Sequence, residues 1–403
     1  MTKLTVRDLP AEQLKGRRAL VRVDFNVPLD EHHRVTDDTR IRAALPTLEL
    51  LLDRGARVVL LSHLGRPKGK PEAKYSLEPV ARRLRELMPR RDVCFVESTD
   101  TDEALKATTE LKDGQVLLLE NTRFLGGEET NDQRLARGLA QLGDLYVNDA
   151  FGAAHRAHAS TEGVAHHLRP AVAGLLMEKE LAYLQGALEK PQHPFVAVLG
   201  GSKISGKIDV IEALLPKVDA LLIGGAMACT FYKAMGLETG TSLVEADRVE
   251  MAKELLDKAG SRLILPHDAM VAPDVKSAKG ARPVQKEQIP RDMAMLDIGP
   301  RTAESYARAI ASAKTVLWNG PMGVFETPPY DAGTLGVAKA LQDATVQGAT
   351  TIVGGGDSAA AVAEAGLENA VTHVSTGGGA SLEFLEGKQL PGVEALDDRA
   401  GGR

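Results

Sequence analysis

Residues 351–362 read TIVGGGDSAAAV: a short β-branched run, three glycines, an aspartate and a serine, then an alanine-rich helical pattern. This is a strand that ends in a tight glycine turn and delivers the chain into a helix. Such a junction presents unpaired backbone N–H groups and the positive end of a helix dipole to an anion. An aspartate there repels a bare anion. Asp357 makes sense if a divalent cation lies between its carboxylate and a phosphate. The turn is therefore expected to hold the metal-bound end of a nucleotide, with glycine and lysine clusters elsewhere supplying the rest of the site.

Outward from this turn, the same unit recurs along the chain. Short apolar runs at 19–23, 58–61, 93–96, 116–119, 145–147, 195–199, 220–223, 263–265, 315–317, 351–353 and 372–374 read as strands. Between most of them apolar residues recur at spacings of three and four, the mark of strand-helix-strand units and parallel sheets covered on both faces. So many strands exceed one comfortable sheet. Pro170, Pro191 and Pro194 bracket residues 172–190, where Met177, Leu181, Leu184 and Leu188 share one helix face. The expected fold is α/β: two doubly wound, Rossmann-like parallel-sheet domains joined by a hinge helix. The boundaries are 1–171, 172–190 for the helix, 191–386, and 387–403 as a tail. The alternative is an ordinary layer helix inside one large domain.

In open α/β sheets ligands sit at the carboxyl ends of strands, so the residues just beyond each strand carry the most information. In the first half these ends are polar and basic: Asp24 and Asn26, His63 and Arg66, Asn121 and Arg123, then His155, Arg156 and His158, with Arg40 at a helix start. One arginine alone is an ordinary solvated charge. Recurrence at one sheet edge makes a pocket for a small, strongly anionic molecule, because the planar guanidinium matches phosphate and carboxylate oxygens. His63, His155 and His158 lack a carboxylate or cysteine at ligand spacing, so no metal site is read from them.

The second half ends its strands in glycine and lysine. GSKISGKI at 201–208 nearly matches the Walker A pattern but puts Ile208 where a Ser or Thr hydroxyl would reach magnesium. The cation must then be held elsewhere, which points back to Asp357. Gly354, Gly356 and Ala359 also fit G-x-G-x-x-A, the dinucleotide fingerprint. The acidic residue expected at the end of the next strand is missing, since Ser375 and Thr376 stand there.

Composition sets the outer limits. The chain has 403 residues, 43% of them hydrophobic, and a formal net charge of -6, enough for two cores and against general nucleic-acid affinity. Cys94 and Cys229 are far apart and read as two buried thiols in a reducing cytosol. No apolar run approaches the ~18 residues of a membrane span. The first residues carry no targeting pattern, so a soluble, cytoplasmic protein is expected.

The motifs VDFNVP, DDTRI, SHLGRP, ENTRF, AHRAHAS, LGGSKISGK, LIGGAM, WNGPMGVFE, VGGGDS and STGGGASLEFLEGKQLPGVEAL stand in this order. Together they resemble the phosphoglycerate kinase family over almost the whole chain. The resemblance implies a 3-phosphoglycerate-binding first domain and an ADP- or ATP-binding second domain. It also implies a tail that packs back on the first domain, and reversible, magnesium-dependent in-line phosphoryl transfer from 1,3-bisphosphoglycerate to ADP in a closed interdomain cleft. Asp24, Asn26, His63, Arg66, Arg123 and Arg156 resemble the acid-substrate pocket, with Arg40 and Lys203 as the pair that neutralises the transferring phosphoryl group. Lys207, Gly224, Gly225, Asn319, Glu326, Gly354, Gly355, Gly356 and Ser358 resemble nucleotide contacts, Glu326 at the ribose. Gly356 and Gly379 resemble transferring-phosphate contacts and Asp357 the Mg2+ ligand. Ala226 and Cys229 depart from the commoner residues beside the nucleotide turn. A monomer without membrane or nucleic-acid partners is implied. Other readings are a kinase of a different small carboxylate, a nucleotide-binding protein without catalysis, and a nicotinamide-dependent dehydrogenase.

Overall fold

In the computed structural model, which describes residues 3–98, 101–276 and 278–399, the expected apolar runs form strands. The first unit takes in the described residues up to Ala182 and again from Gln389; the second is Tyr183–Lys388. The helix Leu175–Glu189 runs through the division, and its Met177, Leu181 and Leu184 are buried while Leu188 is half-buried. The division thus falls inside the helix rather than at its ends.

In the first unit β1 (Arg18–Arg22), β2 (Arg57–Leu61), β3 (Asp92–Val96), β4 (Gln115–Leu119), β5 (Leu145–Asn148) and β6 (Ala171–Ala173) form a parallel sheet in the order β3-β4-β2-β1-β5-β6. Ala19, Leu20 and Val21 are all fully buried, as a central strand covered on both faces requires. One face of the core joins Val21, Val58 and Leu118 to Ile41, Leu48 and Leu51 of the helix Thr39–Asp53. From β1 the chain works outward through β2 and then returns to β5 on the other side of β1. Their adjacent carboxyl ends are the crevice where such sheets take ligands.

The second unit repeats the plan. β7 (Phe195–Leu199), β8 (Ala220–Ile223), β9 (Leu263–Ile264), then β10 (Asp268–Ala272), β11 (Arg282–Gln285) and β12 (Ala294–Ile298), and finally β13 (Thr315–Asn319), β14 (Thr350–Gly354) and β15 (His373–Val374) succeed one another in chain order. The parallel sheet runs β15-β14-β13-β7-β8-β9, and its switch point lies between β7 and β13. The strands β11-β10-β12 make a separate antiparallel sheet. That sheet and β6 lie outside the sequence expectation. β6 is three residues long, and β11 is an edge strand that contains Pro283, so neither carries a strong periodic signal.

The segment after residue 386 contains the short helix Pro391–Glu394. One further expectation needs correction. Cys229 is buried, but Cys94 is only half-buried because β3 is the edge strand of its sheet. Among the described residues no helix is long and apolar enough to cross a membrane.

Candidate active site

In the first unit the polar residues just beyond β1 and β2 form one connected array. Arg40, from the first turn of its helix, donates to both carboxylate oxygens of Asp24 (3.2 and 3.1 Å) and to the Asn26 carbonyl (3.2 Å). Asn26 Oδ1 accepts from Gly65 N at 2.9 Å, which ties the loop after β1 to the loop after β2. Arg123, almost fully buried, donates to the Gly65 carbonyl at 2.7 Å and pairs with Glu129 at 3.2 Å. Arg66 and Arg156 are exposed. Asn121 plays a different part from a ligand contact: its amide donates to the Leu64 and Tyr75 carbonyls and its oxygen accepts from Arg123 N, so it shapes the loop.

Arg22 was not singled out in the sequence. It is buried at the end of β1, where its guanidinium donates to His63 Nδ1 (3.1 Å), to Ser160 Oγ (2.8 Å) and to the Val23 carbonyl. Ser160 in turn donates to the buried Glu128. An arginine directly after the apolar run at 19–21 of a central strand is the signal that could have found it. Because a guanidinium can only donate, His63 Nδ1 must accept, and the neutral ring carries its proton on Nε2. Burial, and after it the charges of Arg22, Arg123 and Arg40, push the His63 pKa well below its usual value. Burial and the same arginine field push His158 down to about 4. The array is thus cationic through its arginines, with neutral imidazoles among them.

In the second unit a cleft of about 330 Å³ opens at the β7/β13 switch point. Gly200, Ser202, Lys203, Lys207, Asn319, Gly320, Gly355, Gly356, Asp357, Ser358, Gly378, Gly379 and Leu382 line it. Two helix N-termini, those of Gly356–Glu364 and Gly379–Leu385, come to this lining without a side-chain cap, so their first N–H groups are available to an anion. Gly355 enters the first of these helices at φ +88°, a conformation glycine tolerates and most residues do not. Lys207 donates to Asn319 Oδ1, and desolvation lowers its pKa to about 8 against the opposing pull of Asp357 and Glu386. Asn319 Nδ2 is buried without a partner. Lys203 and Asp357 are exposed.

Not every expected residue enters the cleft lining. Gly224 and Gly225 are packed beneath it: a Cβ on Gly225 would lie 2.3 Å from the Gly201 carbonyl oxygen, and one on Gly224 would lie 2.3 Å from Met322 Sδ. Glu326 is exposed and also outside the lining. Gly354 is buried at the end of β14. The Ser358 hydroxyl accepts from Gly320 N at 2.6 Å and so joins the two loops that frame the cleft. Gly320, Ser202 and Leu382 line the cleft without having been singled out; the glycine runs around them were the available signal.

Among the described residues no group of three or more His, Cys, Asp or Glu could hold a metal. One exposed carboxylate beside an anion cradle suits Mg2+, which is commonly held by one or two carboxylates plus substrate phosphates and water.

The phosphoglycerate kinase family model matches residues 6–388. The phosphoglycerate kinase of Chloroflexus aggregans is 60% identical over 403 residues, covering 99% of this chain and 100% of that protein. That of Pelodictyon phaeoclathratiforme is 56% identical over 401 residues, covering 99% and 100%. The solved structure of phosphoglycerate kinase from Coxiella burnetii superposes with a TM-score of 0.87 at 42% identity, covering 98% of each chain. That from Pyrococcus horikoshii gives 0.85 at 33%, again covering 98% of each. The chain belongs to the phosphoglycerate kinase family, and its reaction is the reversible transfer of a phosphoryl group from 1,3-bisphosphoglycerate to ADP, giving 3-phosphoglycerate and ATP.

Proposed function

We propose that the nucleotide phosphates sit in the cleft of the second unit and that 3-phosphoglycerate sits in the arginine-rich pocket of the first. The observation that carries this reading is the buried, unpartnered Asn319 amide beside Lys207, in a glycine-lined anion cradle at a switch point. A buried donor left unsatisfied costs about 1–3 kcal/mol, which a phosphate oxygen would relieve.

In this reading Lys207 and Asn319 take the phosphates, together with the N–H groups of Gly355, Gly356 and Gly379, while Gly354 ends the strand that leads into them. Ser358 holds the loop that presents them. Glu326 meets the ribose, and Gly224 and Gly225 allow the close backbone packing behind the nucleotide. Asp24, Asn26, His63, Arg66, Arg123 and Arg156 receive the carboxylate and phosphate of 3-phosphoglycerate, His63 offering its Nε2–H. Arg40 and Lys203 neutralise the phosphoryl group in transfer. Asp357 is the carboxylate that would hold Mg2+, which supplies charge neutralisation between the nucleotide phosphates when bound.

The acceptor carboxylate is already ionised, so the reaction asks the protein for in-line placement and charge stabilisation rather than for a general base. No catalytic role falls to a histidine. We read the protein as a cytoplasmic monomer; sedimentation at working concentration tests the oligomeric part.

The test is ATP-dependent phosphorylation of 3-phosphoglycerate, acetate and aspartate, coupled to reductive removal of the acyl phosphate. Turnover is expected with 3-phosphoglycerate alone, and Lys203→Ala or Arg40→Ala should lower kcat by roughly 10², the size of losing one transition-state charge stabiliser. Comparable turnover of acetate, or a fully active Lys203→Ala, would overturn the assignment.

A further inference from the structure

The loop that leaves the nucleotide cleft after Asn319 and Gly320 is held by a residue that does not line the cleft. Asp297 belongs to β12, in the small antiparallel sheet, and its side chain is almost fully buried. Its Oδ2 accepts from Gly333 N at 2.7 Å and its Oδ1 from the neighbouring Ile298 N at 2.8 Å. Gly323 and Gly333 are both pressed against this carboxylate, since a Cβ on either would lie 2.4 or 2.3 Å from Asp297 Oδ1. The two glycines bracket residues 323–333, the segment that carries Glu326.

The rest of β12 secures the same loop. Val324 N donates to the Leu296 carbonyl at 2.8 Å, and Tyr330 is buried in an apolar cluster with Ala272 and Leu296. Gly333 N lies in the first turn of the helix Ala332–Val346, where a carboxylate satisfies an otherwise orphaned donor and meets the positive end of the dipole. Asp297 thus bonds one end of the loop, at Gly333, and packs closely against the other, at Gly323.

We propose that Asp297 is a positioning residue for nucleotide recognition: by bonding Gly333 N and packing against Gly323 it fixes the 323–333 loop, and with it Glu326, in the arrangement that receives the nucleoside end of ADP or ATP. This rests on the reading of the second unit's cleft as the nucleotide site. The three-stranded sheet then serves as the platform of that loop.

The experiment compares Asp297→Asn with Asp268→Asn in the full chain. Asp268 is a second buried carboxylate, in the neighbouring strand β10, which accepts from Thr302 N (2.8 Å) and Arg301 N (3.1 Å) at the start of another helix. Calorimetric Kd values for magnesium-ADP and for 3-phosphoglycerate are measured with unfolding midpoints. Asp297→Asn is expected to weaken magnesium-ADP binding by about tenfold, the size of losing one buried hydrogen bond. Its 3-phosphoglycerate Kd should stay within about twofold, and KM for ADP should rise more than kcat falls. Asp268→Asn should lower stability without that selective loss.

A folded Asp297→Asn with wild-type affinity for magnesium-ADP overturns the proposal, as does an equal loss in Asp268→Asn. Should Asp297→Asn fail to fold, Thr334→Val takes its place: Thr334 Oγ1 accepts from Met322 N at 3.0 Å, beside the same loop. Unchanged magnesium-ADP affinity in that variant also overturns the proposal. Lys207→Ala separates the two readings: if it too leaves magnesium-ADP binding intact, the cleft assignment itself fails.

Discussion

At Lys207 burial and charge pull in opposite directions. Desolvation lowers the ammonium pKa to about 8, while Asp357 and Glu386 favour the charged form. A nucleotide's phosphates add negative charge and push the pKa back up. The free protein therefore carries the Lys207 charge below about pH 8 and loses it above, whereas the nucleotide complex keeps it. Binding of magnesium-ADP at pH 8 should take up about half a proton, and affinity should decline as pH rises further. Calorimetry in buffers of different ionisation enthalpy measures that uptake, and Lys207→Arg should abolish it. No uptake at pH 8 in the wild-type chain would refute the Lys207 assignment. At this scale the sequence placed polar residues in the segments that follow strands, as with Asp24 after β1 and Asp357 after β14. It was opaque where a side chain acts from inside the sheet. Arg22 stands within a buried strand and reaches His63 and Ser160 only through tertiary folding, a connection that no spacing along the chain encodes.

Among the elements, the glycine-rich strand ends do two separable jobs. Some glycines line the cleft, and others let neighbouring loops touch. Gly320 is of the second kind as well as lining the cleft: it has φ +99°, and a Cβ there would lie 2.2 Å from the Gly200 carbonyl oxygen. Gly320→Ala should combine left-handed strain with overpacking against backbone, costing roughly 2–5 kcal/mol and disturbing the cleft. Gly348 also has a positive φ, +90°, but nothing lies within 4 Å of its would-be Cβ. Gly348→Ala should then show strain alone, roughly 1–2 kcal/mol. Urea unfolding of the two variants measures the difference, and equal costs would mean that the close approach of β7 and β13 loops is not tight. The parallel strands were legible because burial on both faces demands continuous apolar runs. The antiparallel sheet was not, since its short strands mix charged, proline and apolar residues and draw their order from pairing with one another. Yet that sheet supports the 323–333 loop through Leu296 and Asp297, so this support was hidden along with it.

On the scale of the whole molecule, chain order and compact units do not coincide. The segment from Gln389 comes after the second unit in sequence and belongs to the first. Its anchors are specific. Gly392 N donates to the Ala154 carbonyl (2.9 Å) and its carbonyl accepts from Asn148 Nδ2 (3.0 Å), while Asp397 accepts from Leu4 N (2.7 Å) and Ala171 N (2.8 Å). Leu390 and Leu396 are buried. Removing residues 389–403 exposes this apolar surface and leaves the Asn148 amide, at the β1/β5 crevice, without one of its acceptors. The loss should fall on the first unit: the calorimetric transition raised by 3-phosphoglycerate should move down by several degrees, and affinity for that ligand should drop. The transition raised by magnesium-ADP should hold, because the second unit contains its own sheets, cleft and supporting loop. A deletion that instead lowered only the magnesium-ADP-linked transition would mean that the segment stabilises the unit that precedes it. The same deletion distinguishes a passive tail from a structural support of the proposed 3-phosphoglycerate site, since Ala154 lies immediately before His155 and Arg156.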